Sequence, residues 1–469
     1  MTTPPPVAEN GPVHLAPGRR LSLGALISVA FFTTCGGAFG LEGLIGAVGP
    51  GLAFVLLFLT PLLWSVPIAL MVAELSSLIP EEGGYYIWVR ESLGPFWAVQ
   101  EAWWTIGTSM MLMAIFPVVF SSYLGYLVPG VGAAMQAPGS GAVVRWLVAL
   151  AVIGTAMAVN WSGARDVGSS SKLAITFVLG AFAVLVLVWI VKGGGAAIPF
   201  GIIRRDLATE HHGALLLGLS IVILNYGGYD NIATYAGEVD RPRRNYPIAL
   251  GAVIALAILS YALPVLAGIT VTIDPAIWSA DAGWPVIGDR LGGRWLGGLL
   301  AAAGMVSMWA CFNAQLLYTS RIPYVLARDG WLPRWLASSD ATTAAPRASI
   351  IGVCAITAVF TALSFGSLVV IMSILYTAAL ALEFVALLIF RVRRPDAARP
   401  FRIPGDRWGL AYVCLPPLAV SAVILETTLR DGDSNALLIA IVSGFVLSGI
   451  ALYAIPRRRI AVEARQESR

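Results

Sequence analysis

Charge is what this chain has least of. Only 12% of its 469 residues are Asp, Glu, Lys or Arg, whereas 58% are apolar and the mean hydropathy is +0.80. A soluble domain carries roughly a quarter charged residues, so lipid must serve as solvent for this much apolar surface. Histidine is nearly absent. His14, His211 and His212 all fall outside the apolar segments, which excludes a buried histidine proton relay and leaves His211-His212 as a weak metal pair at a loop. Cys35, Cys311, Cys354 and Cys414 show no CxxC spacing and read as small packing residues rather than a disulfide or metal site. With no HExxH, no GxSxG and no buried histidine, nothing supports an intramembrane enzyme, and no cofactor or metal is expected. Rings of like charge and repeated filter loops, which a channel needs, are also missing.

What is present is a series of long apolar runs. A helix needs about 20 apolar residues to cross the hydrocarbon core, and segmentation on that basis gives twelve spans: 21–47, 49–79, 95–128, 143–161, 168–191, 213–237, 247–272, 293–327, 346–364, 367–391, 409–429 and 436–455. Residues 1–20 form a polar, Pro-containing tail without a cleavable signal pattern, and 457–469 form a second tail. With both termini on one side, that side collects most of the basic residues, while Arg145, Lys192, Arg204, Arg205, Arg290, Arg294 and Arg430 lie opposite. The positive-inside rule then sets both termini in the cytoplasm of a multi-pass inner-membrane protein. The net charge of +4 reflects these loops and gives no argument for nucleic-acid binding; the bilayer is the partner.

Two of the spans are broken by glycine. The first is interrupted at Cys35-Gly36-Gly37-Ala38-Phe39-Gly40, the sixth at Asn225-Tyr226-Gly227-Gly228-Tyr229-Asp230. Unwound backbone in lipid leaves N–H and C=O groups unpaired at several kcal/mol each unless something polar satisfies them. Paired breaks in corresponding halves of the chain point to the binding site of a secondary transporter. Ten spans divide into two sets of five, residues 21–200 and 201–392, each opening on a broken span. An odd number of spans per set forces opposite orientations, and residues 393–456 add spans eleven and twelve. The fold expected is all-α, twelve membrane helices in a five-plus-five inverted repeat with helices 1 and 6 broken. The stretch from Pro80 to Arg90 reads as an amphipathic, aromatic helix lying in the inner interface.

Ionisable residues at membrane depth are functional candidates by default. Asp230 sits where the sixth span should re-form its helix, able to pair a substrate amine or carry a proton, with helix capping as the plain alternative. Glu42 has the corresponding place beyond the first break. Glu101 opens the third span and Lys172 the fifth, where Lys172 reads first as a flank at the inner end and second as a charge inside the bundle; with Asp230 they are the candidates for ion coupling. Glu74 suits bonds to interfacial amides, and Glu383 stands isolated in the tenth span. Phe39, Tyr226 and Tyr229 beside the breaks suit closure over a substrate with cation–π contact. Carboxylates outnumber cations here, so the cavity should attract positive groups.

Set beside one another, Ala73-Glu74-Leu75…Pro80…Gly83-Gly84, Ala236-Gly237-Glu238-Val239…Pro242 and ARDGWLP at 327–333 resemble the amino acid–polyamine–organocation superfamily over nearly the whole chain. GGAFGLEG, SVPIALMVAELSSLIPEEGGYYIWV and SLGPFWAVQEAWW are most similar to plant-type polyamine uptake and L-type amino acid permeases. The resemblance implies the five-plus-five fold and alternating access. It further implies that the N–H groups of Gly36, Gly37 and Ala38 bind a substrate carboxylate, that carbonyls near Asn225 and Tyr226 receive the amine, and that a carboxylate at Asp230 gates or senses protons. Two departures weaken the polyamine case: Gly43 and Asn313 stand where polyamine carriers place acids. Leu224 replaces the gating tryptophan of some exchangers. The expectation is a permease for amino acids or polyamines that prefers a cationic or amine-rich solute. Glu42 and Asp230 are the acids for an extended cation, and the coupling ion is a proton in preference to sodium, since the eighth span offers just Ser307 to a sodium site. A neutral amino acid permease or exchanger is the alternative.

Overall fold

The computed structural model describes residues 20–194, 218–219, 221–223, 225–278, 282–362, 365–430 and 442–455. The expectations placed on residues 1–19 and 457–469, on His211-His212 and on Leu224 lie outside them. Helix dominates; a single parallel bridge, Leu21 to Val239, is the one β-type pairing among the described residues. Seven helices are long and apolar enough to cross a bilayer, and three shorter apolar helices, Leu23–Thr34, Arg347–Phe360 and Val442–Ile455, accompany them. Large apolar side chains point away from the protein on the outward faces, among them Leu173 (75% exposed), Val191 (77%) and Trp408 (84%). Water would penalise such faces and lipid does not. The protein is a helical multi-pass membrane protein.

Local chemistry sets the boundaries. Helix Leu23–Thr34 starts on Ser22, whose hydroxyl accepts from the Ala25 N–H at 3.4 Å. The stretch Glu42–Leu78 looks continuous, but Gly49 leaves the helix at φ 76°, ψ 162° just ahead of Pro50. Glu42 to Val48 therefore completes the first span, and the second runs from Pro50 to Leu78 through a π-helical turn, Pro61–Ser65. Gly94 and Pro95 open the third span, Pro95–Leu127, with proline at the position where a missing N–H costs nothing. The fourth and fifth spans are Gly141–Trp161 and Ala164–Val191. The seventh is Pro242–Val271, the eighth Arg294–Thr319, the tenth Phe365–Arg393 and the eleventh Asp406–Arg430.

One expectation is corrected here. Tyr85–Leu93 is a helix, but Tyr85, Tyr86, Ile87, Trp88 and Val89 are all buried. Its aromatic face packs against the third and tenth spans rather than lying in a lipid interface. Amphipathicity alone does not say whether an apolar face meets lipid or protein.

Candidate functional site

The first break begins where Leu23–Thr34 runs out of helix. Cys35 and Gly36 both donate to the Phe31 carbonyl, at 2.8 and 3.0 Å. Gly36 and Gly37 then adopt φ of 71° and 88°, a left-handed region open to glycine at little cost. The freed carbonyls are met by side chains. Ser307 donates to Gly36 C=O, Trp284 Nε1 to Ala38 C=O at 2.9 Å, and Gln315 Nε2 to Thr33 C=O at 3.2 Å. The Gly36 amide is thus used within the chain and that of Gly37 meets the Cys35 thiol, while that of Ala38 has no acceptor among the described residues. Glu42 is not left open to a ligand either. Its Oε2 accepts from the Gly40 N–H and its Oε1 from the Tyr123 hydroxyl, both at 2.7 Å, in a buried position. Phe39 packs on Tyr123 and Phe182, with centroids 5.4 and 4.7 Å away.

The sixth break is built differently. Tyr226 turns inward, its hydroxyl donating to Leu57 C=O at 3.0 Å and its ring edge-on to Tyr261 at 4.9 Å. Tyr226 is thus a packing residue here. Ser65 donates to the Tyr226 carbonyl at 3.2 Å. Gly228 takes φ 86°, and a Cβ on it would stand 2.8 Å from the Thr33 carbonyl oxygen. The two breaks therefore touch backbone to backbone. Tyr261, from the seventh span, ties them together: its hydroxyl lies 2.7 Å from Asn225 C=O and 3.1 Å from Cys35 C=O. Beyond the break the chain continues as a 3-10 helix, Asn231–Glu238, rather than an α-helix. Asp230 heads that segment, buried, with Oδ1 accepting from the Tyr376 hydroxyl at 2.9 Å; the same hydroxyl accepts from the Gly228 N–H at 3.3 Å.

Cys35, Asn225 and Gly227 are partly exposed and Gly40 is exposed, whereas Gly36 to Phe39 and Gly228 to Asp230 are buried. On the face where the chain enters the first span, Leu21 N–H donates to Glu238 C=O at 2.8 Å and Asp240 N–H to Leu21 C=O at 3.0 Å. The buried Arg321 grips Glu238 through two bonds, at 2.8 and 3.2 Å. Around it lie Arg90–Asp329 at 2.5 Å and Arg328–Glu82 at 3.9 Å. Burial, and behind it the charge of Glu238, pushes the Glu82 carboxyl up to about 7.

The other sequence candidates scatter. Glu101 is fully buried, with Oε1 accepting from Thr105 at 2.9 Å. Lys172 is exposed at the near end of the fifth span, its Nζ donating to Ser22 Oγ at 3.3 Å, and it is not brought to the breaks. Glu74 does accept a backbone amide, from Ile403 at 2.9 Å, but also pairs with Arg391 at 2.5 Å and Arg399 at 3.3 Å. Asn313 is held by Asn160 at 2.7 Å and Ser170 at 3.1 Å, which makes it a link between the fourth, fifth and eighth spans. Sequence reading missed Tyr261, Tyr376, Trp284 and Gln315; the first two and Gln315 lie in apolar runs with no break or charge beside them, and Trp284 lies between the expected spans.

The arrangement sets one acceptor-free amide, that of Ala38, at the first break and a buried carboxylate at the other. It suits an ammonium group at Asp230, with or without a carboxylate opposite. The sequence matches the amino acid permease family over residues 21–457. Among similar proteins, polyamine transporter PUT1 of Oryza sativa subsp. japonica is 33% identical over 92% of this chain and 78% of its own length. Polyamine transporter RMV1 of Arabidopsis thaliana is 30% identical over 92% and 84%. The branched-chain amino acid permease BcaP of Lactococcus lactis subsp. cremoris is 25% identical over 68% and 69%.

Proposed function

Because the chain belongs to the amino acid permease family, we propose that it imports a polyamine or other amine-rich cationic solute by alternating access. The single observation that carries this reading is Asp230: a buried carboxylate at the point where two broken spans meet, met by the Tyr376 hydroxyl and the backbone amides of Asp230 and Asn231 but by no cation among the described residues. A charge so placed is costly unless a partner compensates it, and an ammonium group is that partner. The similarity to polyamine transporters over most of the chain supports the same solute. We assign Gly37, Ala38, Gly227, Gly228 and Asp230 to the substrate surface, with Glu42, Phe39 and Tyr226 shaping it.

In this reading residues 21–200 and 201–392 form oppositely oriented repeats, both termini face the cytoplasm across an inner membrane, and a proton drives uptake. Ser307 is a single hydroxyl where a sodium site of this fold would want a pair, which supports the proton. A second reading has its own observation: the Ala38 amide, without an acceptor among the described residues, would suit a carboxylate, hence an amino acid. Thermal shift of the purified protein separates the two. A ligand at a hundredfold excess over Kd stabilises by about 2.7 kcal/mol. Putrescine and spermidine should raise the melting temperature and leucine should not; the reverse would establish the amino acid reading.

A further inference from the structure

A second acidic group lies beneath the breaks, on the third and tenth spans. Glu101 and Glu383 are both buried, and among the described residues the Oε2 atom of each has no hydrogen-bond partner. The Tyr85 hydroxyl, fully buried on helix Tyr85–Leu93, has none either, and it is aimed into electrostatic range of Glu101, Tyr318, Asp230 and Glu383. The antiparallel packing of the two spans accounts for the meeting: Trp104, about one turn from Glu101, shares a buried apolar cluster with Ala379, about one turn from Glu383. Glu383 also follows Tyr376, the donor to Asp230, by two turns on the same face, a separation of about 10 Å. The described ion pairs all use other carboxylates.

Two carboxylates sealed from water need a neutralising partner. An ammonium group would need room and three acceptors, whereas a proton needs no room. The lid is also coupled to the breaks. Gly83 N–H donates to Thr234 C=O at 2.8 Å, and Gly84, at φ 43°, lies so close to Ala233 that a Cβ would stand 2.7 Å from its carbonyl carbon. The helix bearing Tyr85 is thereby fastened to the segment that follows Asp230.

We propose that Glu101 and Glu383 form the proton-carrying site of the transport cycle, lidded by Tyr85 and separate from the substrate carboxylate Asp230. Sealed, the pair holds a proton as a carboxyl O–H. When the 3-10 segment moves and draws Tyr85 away, water enters, the O–H bond breaks, water takes the proton and a carboxylate is left. Reloading from the opposite side re-forms the O–H bond. The facing groups are Thr105 on the third span, Tyr376 on the tenth, Asp230 on the sixth, Tyr318 on the eighth and Tyr85 on the short helix.

The inference rests on the transport reading, and its test separates the two. In proteoliposomes loaded with a pH dye, putrescine-driven proton movement and putrescine counterflow are measured together. In Glu383→Gln and Glu101→Gln, proton movement should fall about tenfold or more while counterflow stays within about twofold of wild type. Glu101→Asp, which keeps the acid, should restore proton movement and guards against misfolding. Wild-type proton movement in both Gln variants would overturn the proposal, as would equal loss of counterflow, which would mark a second ammonium subsite. Counterflow without any proton movement in wild type would also overturn it and leave the transport reading intact. Absence of putrescine exchange in wild type would defeat the substrate reading itself.

Discussion

The two breaks solve one problem with opposite materials. The first is built of glycine, and its polar groups are nearly all spoken for: carbonyls by Ser307, Trp284 and Gln315, the Glu42 carboxylate by Gly40 and Tyr123. The second is walled by tyrosine and holds an acid whose donors, the Tyr376 hydroxyl and the amides of Asp230 and Asn231, are all neutral. The first break is thus a rigid frame and the second is where charge is left over. Placing an acid near a break is therefore not enough to make it a ligand; what matters is whether the fold has already used its oxygens. Glu42 and Asp230 look alike in sequence and differ in this respect.

The largest effect should come from breaking the contact between the two. Gly228→Ala asks a non-glycine residue to hold φ 86° and sets a Cβ 2.8 Å from the Thr33 carbonyl. The left-handed conformation alone costs about 1–2 kcal/mol, before the overlap. Uptake at matched membrane abundance should be abolished; normal uptake would mean that the breaks do not need to touch.

Glu42→Gln should have a smaller and different effect. An amide cannot accept from both Gly40 and Tyr123, so one buried donor loses its partner, at about 1–3 kcal/mol. The melting temperature should drop while putrescine affinity changes little. A selective loss of affinity at unchanged stability would make Glu42 a substrate ligand after all.

The smallest expected effect lies at the terminal face. The Glu82 carboxyl is raised from 4.5 to about 7 by burial and by Glu238, so the folded state binds the proton more tightly than the unfolded state. Its stabilising contribution is complete below pH 4.5 and is lost as pH rises towards 7. Glu82→Gln should flatten that decline, giving a variant that melts above wild type at pH 8 and close to it at pH 4.5. Parallel melting curves at both pH values would remove Glu82 from the account.

Much of this was legible in the sequence because membranes punish unpaired backbone. Gly36-Gly37 and Gly227-Gly228 stood out inside apolar runs, and both proved to be breaks. The helices fell close to the expected spans for the same reason. What sequence could not supply was partnership across long separations. Tyr376 reaches Asp230 and Tyr261 bridges Cys35 to Asn225, but each is an ordinary tyrosine in an apolar helix. The Pro80–Arg90 stretch was read as interfacial for a related reason: its apolar face meets protein, which pattern does not reveal. Lys172 is the simpler case: the flank at the inner end of the fifth span that its position suggests is where it sits, exposed beside Ser22 and away from the breaks.

The central claim is that Asp230 is the counter-charge for a substrate amine, and calorimetric titration of putrescine into wild-type and Asp230→Asn protein at one pH tests it most directly. Hydrogen bonds to a charged group contribute about 1.5–3 kcal/mol, so the account predicts clear binding to wild type and an affinity weaker by about tenfold to a hundredfold in the variant. Equal putrescine affinity in the two proteins would contradict it.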